Sequence, residues 1–113
     1  MRTSKQPERS LKVAKASHAS TVTRLEDIPN IGPSVADDLR ALDIYEPAQL
    51  IGRDPYRLYE QMTEVTGVRH DPCLCDTFIA AVRFMEGGPS RPWWFFTPER
   101  KARLGTAAPP GKS

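Results

Sequence analysis

The sequence is poor in cysteine: among 113 residues there are two, Cys73 and Cys75, standing only two apart. That spacing is not a disulfide framework of the kind that staples small secreted domains. Long apolar runs are also missing, and none approaches the ~20 residues needed to cross a bilayer. Residues 1–20 hold no apolar core of the sort found in secretory leaders, so none is expected. No stretch alternates apolar and polar residues with the period of a strand. These absences point to an all-α protein with no membrane partner, placed by default in a reducing cytoplasm.

Positive charge is scarce where a fold is expected. The net charge of +2 conceals an asymmetry along the chain. Residues 1–20 carry Arg2, Lys5, Arg9, Lys12 and Lys15 against Glu8, and residues 99–113 carry Arg100, Lys101, Arg103 and Lys112 against Glu99. Between them, residues 21–98 hold twelve acidic and seven basic groups. A basic patch is the usual footprint of a nucleic-acid binder, and the middle of this chain does not supply one by composition. Residues 1–20 and 105–113, rich in small and polar groups, read as disordered basic tails flanking one domain at 21–104.

The helix punctuation inside that domain is dense. Thr23-Arg24-Leu25-Glu26 has the pattern of a capping box, with Thr23 as cap and Glu26 reaching back. Pro29 disfavours the helical conformation at Ile28, so the first helix is short. Pro33 suits the first turn of the next, in which Val35, Ala36, Leu39 and Leu42 recur at helical spacing. Pro47 opens a third short helix ending near Gly52. Asp54-Pro55 and Asp71-Pro72 each pair a cap with a first-turn proline. The helix after Asp54 directs Leu58, Tyr59, Met62 and Val65 inward and stops at Gly67; the one after Asp71 carries Leu74, Phe78, Ile79, Val82 and Met85. Five helices in a bundle result, with another helix start at Thr97-Pro98-Glu99-Arg100.

Ile28-Pro29-Asn30-Ile31-Gly32-Pro33 resembles the helix-hairpin-helix consensus. Ile28 and Ile31 anchor the turn on the core, and Asn30, at a position where the consensus has glycine, tolerates positive φ better than most residues. Gly32 lets a phosphate oxygen approach the backbone. The amides of Gly32, Ser34 and Val35 would lie unpaired at a helix start, where the dipole favours an anion. The Ser34 hydroxyl adds a donor, and Arg40 is the cation nearest in sequence. Such contacts position a protein on DNA or RNA without reading bases. Asp37 and Asp38 oppose that use. The competing reading is a tight turn between helices, as in SAM-like protein-interaction bundles of similar shape.

Two further segments carry chemistry. In Arg69-His70-Asp71-Pro72-Cys73-Leu74-Cys75-Asp76, a zinc site would need four ligands from separated pairs. Cys73 and Cys75 point in different directions on a helix, and His18 is the one other histidine, so no metal or other cofactor is expected. A helix N-terminus lowers a thiol pKa, which makes Cys73 a candidate reactive thiol with His70 as its base. The alternative is that both cysteines are small packing groups behind an Asp71 cap. No catalytic residues are assigned. Trp93-Trp94-Phe95-Phe96 cannot all face one way. With Arg91, Arg100, Lys101 and Arg103 close by, Trp93, Trp94, Arg100 and Lys101 form a candidate contact surface for bases or a protein partner, unless the segment closes the core.

Taken in order, Ile28 to Gly32, Arg69 to Cys73, Ala80 to Glu86, Pro92-Trp93-Trp94 and Thr97 to Lys101 resemble the pathogenicity-locus family. These are small bacterial helix-hairpin-helix proteins, some labelled mitomycin-resistance proteins. The resemblance covers roughly 22–101. It implies a compact five-helix helix-hairpin-helix fold and a link to DNA, and it implies no catalytic activity. Asp71-Pro72-Cys73 matches a signature of that family, whereas Cys75 is a local variation.

Overall fold

The computed structural model describes residues 18–104. Residues 1–17 and 105–113, and with them the tail expectations placed there, lie outside the described residues. Among the described residues there are four α-helices and no strand: α1 (Pro33–Ala41), α2 (Pro55–Thr66), α3 (Pro72–Met85) and α4 (Thr97–Leu104). Single 3-10 turns at Ala19–Thr21, Leu25–Asp27, Pro47–Leu50 and Trp93–Phe96 fill the intervals. The expected five-helix count is therefore corrected. The first and third expected helices are one-turn 3-10 segments, and α4 is a full helix of its own.

Prolines explain the shortening. Pro29 forces Ile28 out of the helical region, to ψ 134, and that stops the first segment after three residues. The cap there also differs from the expected pairing. It is Asp27, not Glu26, whose carboxylate accepts from the amides of Thr23 (3.2 Å) and Arg24 (3.0 Å) and from the Thr23 hydroxyl (3.0 Å). The segment starts at Leu25, so its cap position is Arg24, and the residue three further on is Asp27. Order also begins earlier than Thr23, since Ala19 and Val22 pack against the core.

The other punctuation is as read. Asp54 accepts from Tyr56 N at 2.9 Å, Asp71 accepts from Cys73 N at 2.8 Å, and Gly67 ends α2 in the left-handed region at φ 73. Asn30 also takes positive φ, at 74. Asp43, a second non-glycine residue at positive φ, was not anticipated. It turns the chain after α1 so that Ile44 enters the core.

The centre of the molecule is α3. Every residue from Cys75 to Val82 is buried, which exceeds the single apolar face read from the sequence. The helix is enclosed because α2 packs on it, as do the Pro47–Leu50 turn, the Trp93–Phe96 turn and α4. Leu25, Ile28, Ile31, Leu39, Ile44, Leu50, Leu58 and Phe78 are fully buried in the main cluster. Ile28 and Ile31 thus anchor the turn before α1 on the core, as expected. Val65, expected inward, is exposed near the end of α2.

The one charged side chain among the buried residues is Asp76. It accepts from Thr97 Oγ1 at 2.7 Å and from Arg100 Nε at 2.9 Å and Nη2 at 3.3 Å. A buried carboxylate is tolerable only when it is paired and hydrogen-bonded. This one pins α4 to the middle of the fold.

Candidate functional site

The three segments singled out in the sequence meet on one face. Ser34, Val35 and Asp38 from α1, then His70, Asp71, Cys73, Leu74 and Thr77 from the start of α3, and Trp93 line an open groove of about 400 Å³. Asn30 joins two of them, the turn before α1 and the aromatic segment. Its side-chain amide donates to Arg91 O at 2.7 Å, and its Oδ1 accepts from Trp93 N at 3.2 Å. The hairpin turn therefore holds the aromatic segment in place.

On the α1 side the backbone is left open. The first amide of α1 with a helical acceptor is that of Ala36, which donates to Gly32 O at 2.9 Å. The amides of Ser34 and Val35 precede it and have no intrahelical acceptor. The helices α1, α2 and α3 all begin with proline, but only α2 and α3 carry a side-chain cap, from Asp54 and Asp71. At α1 the capping position is Gly32, which supplies none. A Cβ built on Gly32 meets nothing within 4 Å, and its φ of −95° is open to any residue. Pro33 and Ser34 are exposed.

Charges near this opening are mixed. Arg40, the expected cation, is already engaged. Its guanidinium bonds both oxygens of Glu26 (3.0 and 3.1 Å) and Asp37 (3.0 Å), which ties α1 to the preceding turn. Asp38 stands in the groove itself. Burial raises its carboxyl above the usual range, and the repulsion of Asp37 adds to it.

On the cysteine side of the groove Cys73 follows its cap Asp71, whose Oδ1 accepts from Cys73 N. Partial burial first, and then the hydrogen bond and charge of Asp71, push the Cys73 thiol up rather than down. Burial and the capping carboxylate both act against the thiolate that a bare helix N-terminus would favour. His70 has partners of its own: Nε2 lies 2.9 Å from Thr66 Oγ1, and the His70 carbonyl accepts from the Tyr59 hydroxyl. Cys75 is fully buried, and burial pushes its thiol up to about 12. Among the described residues no three His, Cys, Asp or Glu side chains gather as metal ligands. Asp76 is committed to Arg100.

The aromatic segment divides by exposure. Phe96 is buried and Trp93 is half-buried, but Trp94 is 61% and Phe95 51% exposed. Trp93 and Trp94 meet edge to face at 5.6 Å, and the Arg91 guanidinium lies 4.3 Å from the centre of the Phe95 ring. Of the four residues expected at this surface, Trp94 and Lys101 are exposed, Trp93 walls the groove, and Arg100 is internal to the fold. Phe95 was not singled out. Its placement follows from Phe96 taking the buried position, which four consecutive aromatics leave ambiguous in sequence.

No helix among the described residues is long and apolar enough to cross a membrane. No solved structure matches the chain. The mitomycin resistance protein McrB of Streptomyces lavendulae is 51% identical over 80 residues, covering 71% of this chain and 76% of that protein. The family described as Pathogenicity locus matches residues 18–102, nearly the whole described fold, and the chain belongs to that family.

Proposed function

We propose that the chain is a non-enzymatic nucleic-acid-binding module. In this reading the segment from Leu25 to Ala41 is a helix-hairpin-helix motif that contacts the phosphate backbone of DNA without reading sequence. One observation carries the proposal: the cap position of α1 is Gly32, which leaves the Ser34 and Val35 amides without a side-chain cap and open space above the glycine, while the neighbouring helices are capped by their own carboxylates. Unpaired amides at a helix start are anion-binding groups.

Arg40 then serves as a brace between the two limbs of the hairpin, because Glu26 already holds it. The cationic share of affinity falls to the basic groups of residues 1–17 and of the 91–103 segment, acting through counterion release. Asp38 tempers that affinity. Through its relative's name the chain is also a candidate for a part in mitomycin resistance.

Titration of a fluorescent duplex into the full chain at rising salt tests the proposal. It predicts binding on the order of 1–100 μM near physiological salt, equal for unrelated sequences and falling linearly on a log–log plot. Binding that is independent of salt, or restricted to one sequence, contradicts it.

A further inference from the structure

The aromatic residues left outside the core coincide with the positive charge of an otherwise acidic fold. Residues 18–88 hold twelve acidic and six basic groups, whereas residues 89–104 hold Arg91, Arg100, Lys101 and Arg103 against Glu99 alone. In that second stretch Trp94 and Phe95 stand more than half exposed. They are not loosely held. Asn30 fixes the backbone at Arg91 and Trp93, Phe96 is buried beneath, and Asp76 binds Thr97 and Arg100 just beyond. Two large rings are thus held more than half in water by a segment clamped on both sides, which costs solvation.

We infer that Trp94 and Phe95, with Arg91 and Lys101, form a stacking ledge for unpaired bases of a nucleic-acid strand. The inference rests on the nucleic-acid reading above and adds a substrate class to it, single-stranded or junction DNA or RNA. Aromatic rings flanked by cations are how single strands are held without sequence preference, since every base has a π-face. The Arg91 guanidinium lies over one face of Phe95, 4.3 Å from its centre, and offers its own plane to a base. Charge selects the occupant: with Arg100 spent on Asp76, a polyanion still matches the exposed Arg91, Lys101 and Arg103, and an acidic second copy of the 18–88 surface would bring no bases to stack. The ledge is continuous with the groove, because Trp93 touches Trp94 and also lines the groove beside Ser34 and Val35. A strand leaving a phosphate at the α1 start passes Trp94.

The test compares a blunt duplex with the same duplex carrying a single-stranded overhang, using the full chain and its Trp94→Ala and Trp94→Phe variants. The ledge predicts about tenfold tighter binding of the overhang. Trp94→Ala erases that advantage and leaves blunt-duplex affinity unchanged, and Trp94→Phe keeps most of it. Equal binding of both substrates by the unsubstituted chain overturns the inference while leaving the duplex reading in place. Overhang binding that depends on Trp94 with no blunt-duplex binding supports the ledge and removes the duplex reading. A Trp94→Ala variant that binds the overhang normally but loses a dimer by light scattering overturns the ledge in favour of a contact between copies of this chain.

Discussion

Asn30 and Arg91, 61 positions apart, are joined by a 2.7 Å hydrogen bond from the Asn30 side-chain amide to the Arg91 carbonyl. With the return bond from Trp93 N to Asn30 Oδ1, one side chain at the tip of the hairpin turn fixes the position of the C-terminal aromatics. The same residue holds the turn at φ 74. Asparagine at this position therefore does two things that glycine cannot do together: it accepts the left-handed backbone and it clamps a distant strand of chain.

The two roles separate by substitution. Asn30→Gly keeps the backbone and loses two hydrogen bonds, which costs about 1–2 kcal/mol. Asn30→Ala loses them and places a Cβ at positive φ, adding roughly 1 kcal/mol more. Urea denaturation should rank the wild type above Gly and Gly above Ala. Alanine as stable as glycine would show that the turn conformation is not held as described.

Removing one partner of the Asp76–Arg100 pair should be more damaging. Asp76 is fully buried and Arg100 nearly so, so Asp76→Ala leaves a cation without its partner and is expected to cost about 3–5 kcal/mol. Because Thr97 bonds the same carboxylate, α4 should detach first. Hydrogen exchange that accelerates in residues 97–104 ahead of α3 would support this order, and uniform acceleration would oppose it.

These two anchors also mark the limit of what the sequence discloses. Caps such as Asp54-Pro55 and Asp71-Pro72 and the apolar spacing of Ile28 and Ile31 are local, so they are legible from neighbouring residues alone. The partners of Asn30 and Asp76 lie more than twenty positions away. Asp76 looks, in sequence, like one more polar group beside two cysteines. Only the enclosure of α3 on all sides turns it into a buried ion-pair centre. The same enclosure explains why α3 carries apolar residues beyond a single stripe, and why the Cys73 thiol is partly buried beside its local cap Asp71. The coming together of the hairpin, the His70–Cys73 segment and Trp93 in one groove is a tertiary result that no spacing rule encodes.

Thiol labelling follows from those surroundings. Cys73 should react slowly at neutral pH, since burial and then Asp71 raise its thiol. Asp71→Ala removes the hydrogen bond and the charge, so it should speed labelling. It should also cost about 1 kcal/mol of stability as a lost N-cap. Cys75, pushed up to about 12 by burial, should label only on unfolding. Fast labelling of native Cys73 near pH 7 would contradict this account.

Acid should weaken the fold in a defined direction. The carboxyl of Glu99 is held below its ordinary 4.5 by the Arg83 guanidinium, and that of Asp71 below 3.8 by the Cys73 amide. Each contributes stability that is fully present above its unfolded value and is lost as pH falls through the lower folded value. Asp38 acts oppositely. Burial raises it above 3.8, so its ionisation as pH rises opposes folding. Asp38→Asn should therefore stabilise the protein slightly at neutral pH and, by removing a negative charge from the groove, tighten duplex binding. Melting temperatures across pH 2–7 check the first expectation. A weaker-binding Asp38→Asn variant would refute the second.

The most direct measurement of the central claim is duplex binding by full-length Gly32→Glu beside the unsubstituted chain. The substitution is well chosen because φ at Gly32 suits any residue and no atom lies within 4 Å of the added Cβ, so the fold should survive, as circular dichroism can verify. A carboxylate placed over the Ser34 and Val35 amides should repel phosphate and lower affinity by about tenfold or more, equivalent to at least ~1.4 kcal/mol. A folded Gly32→Glu variant that binds duplex as tightly as the wild type would show that the hairpin is architecture and that α1 does not hold the phosphate.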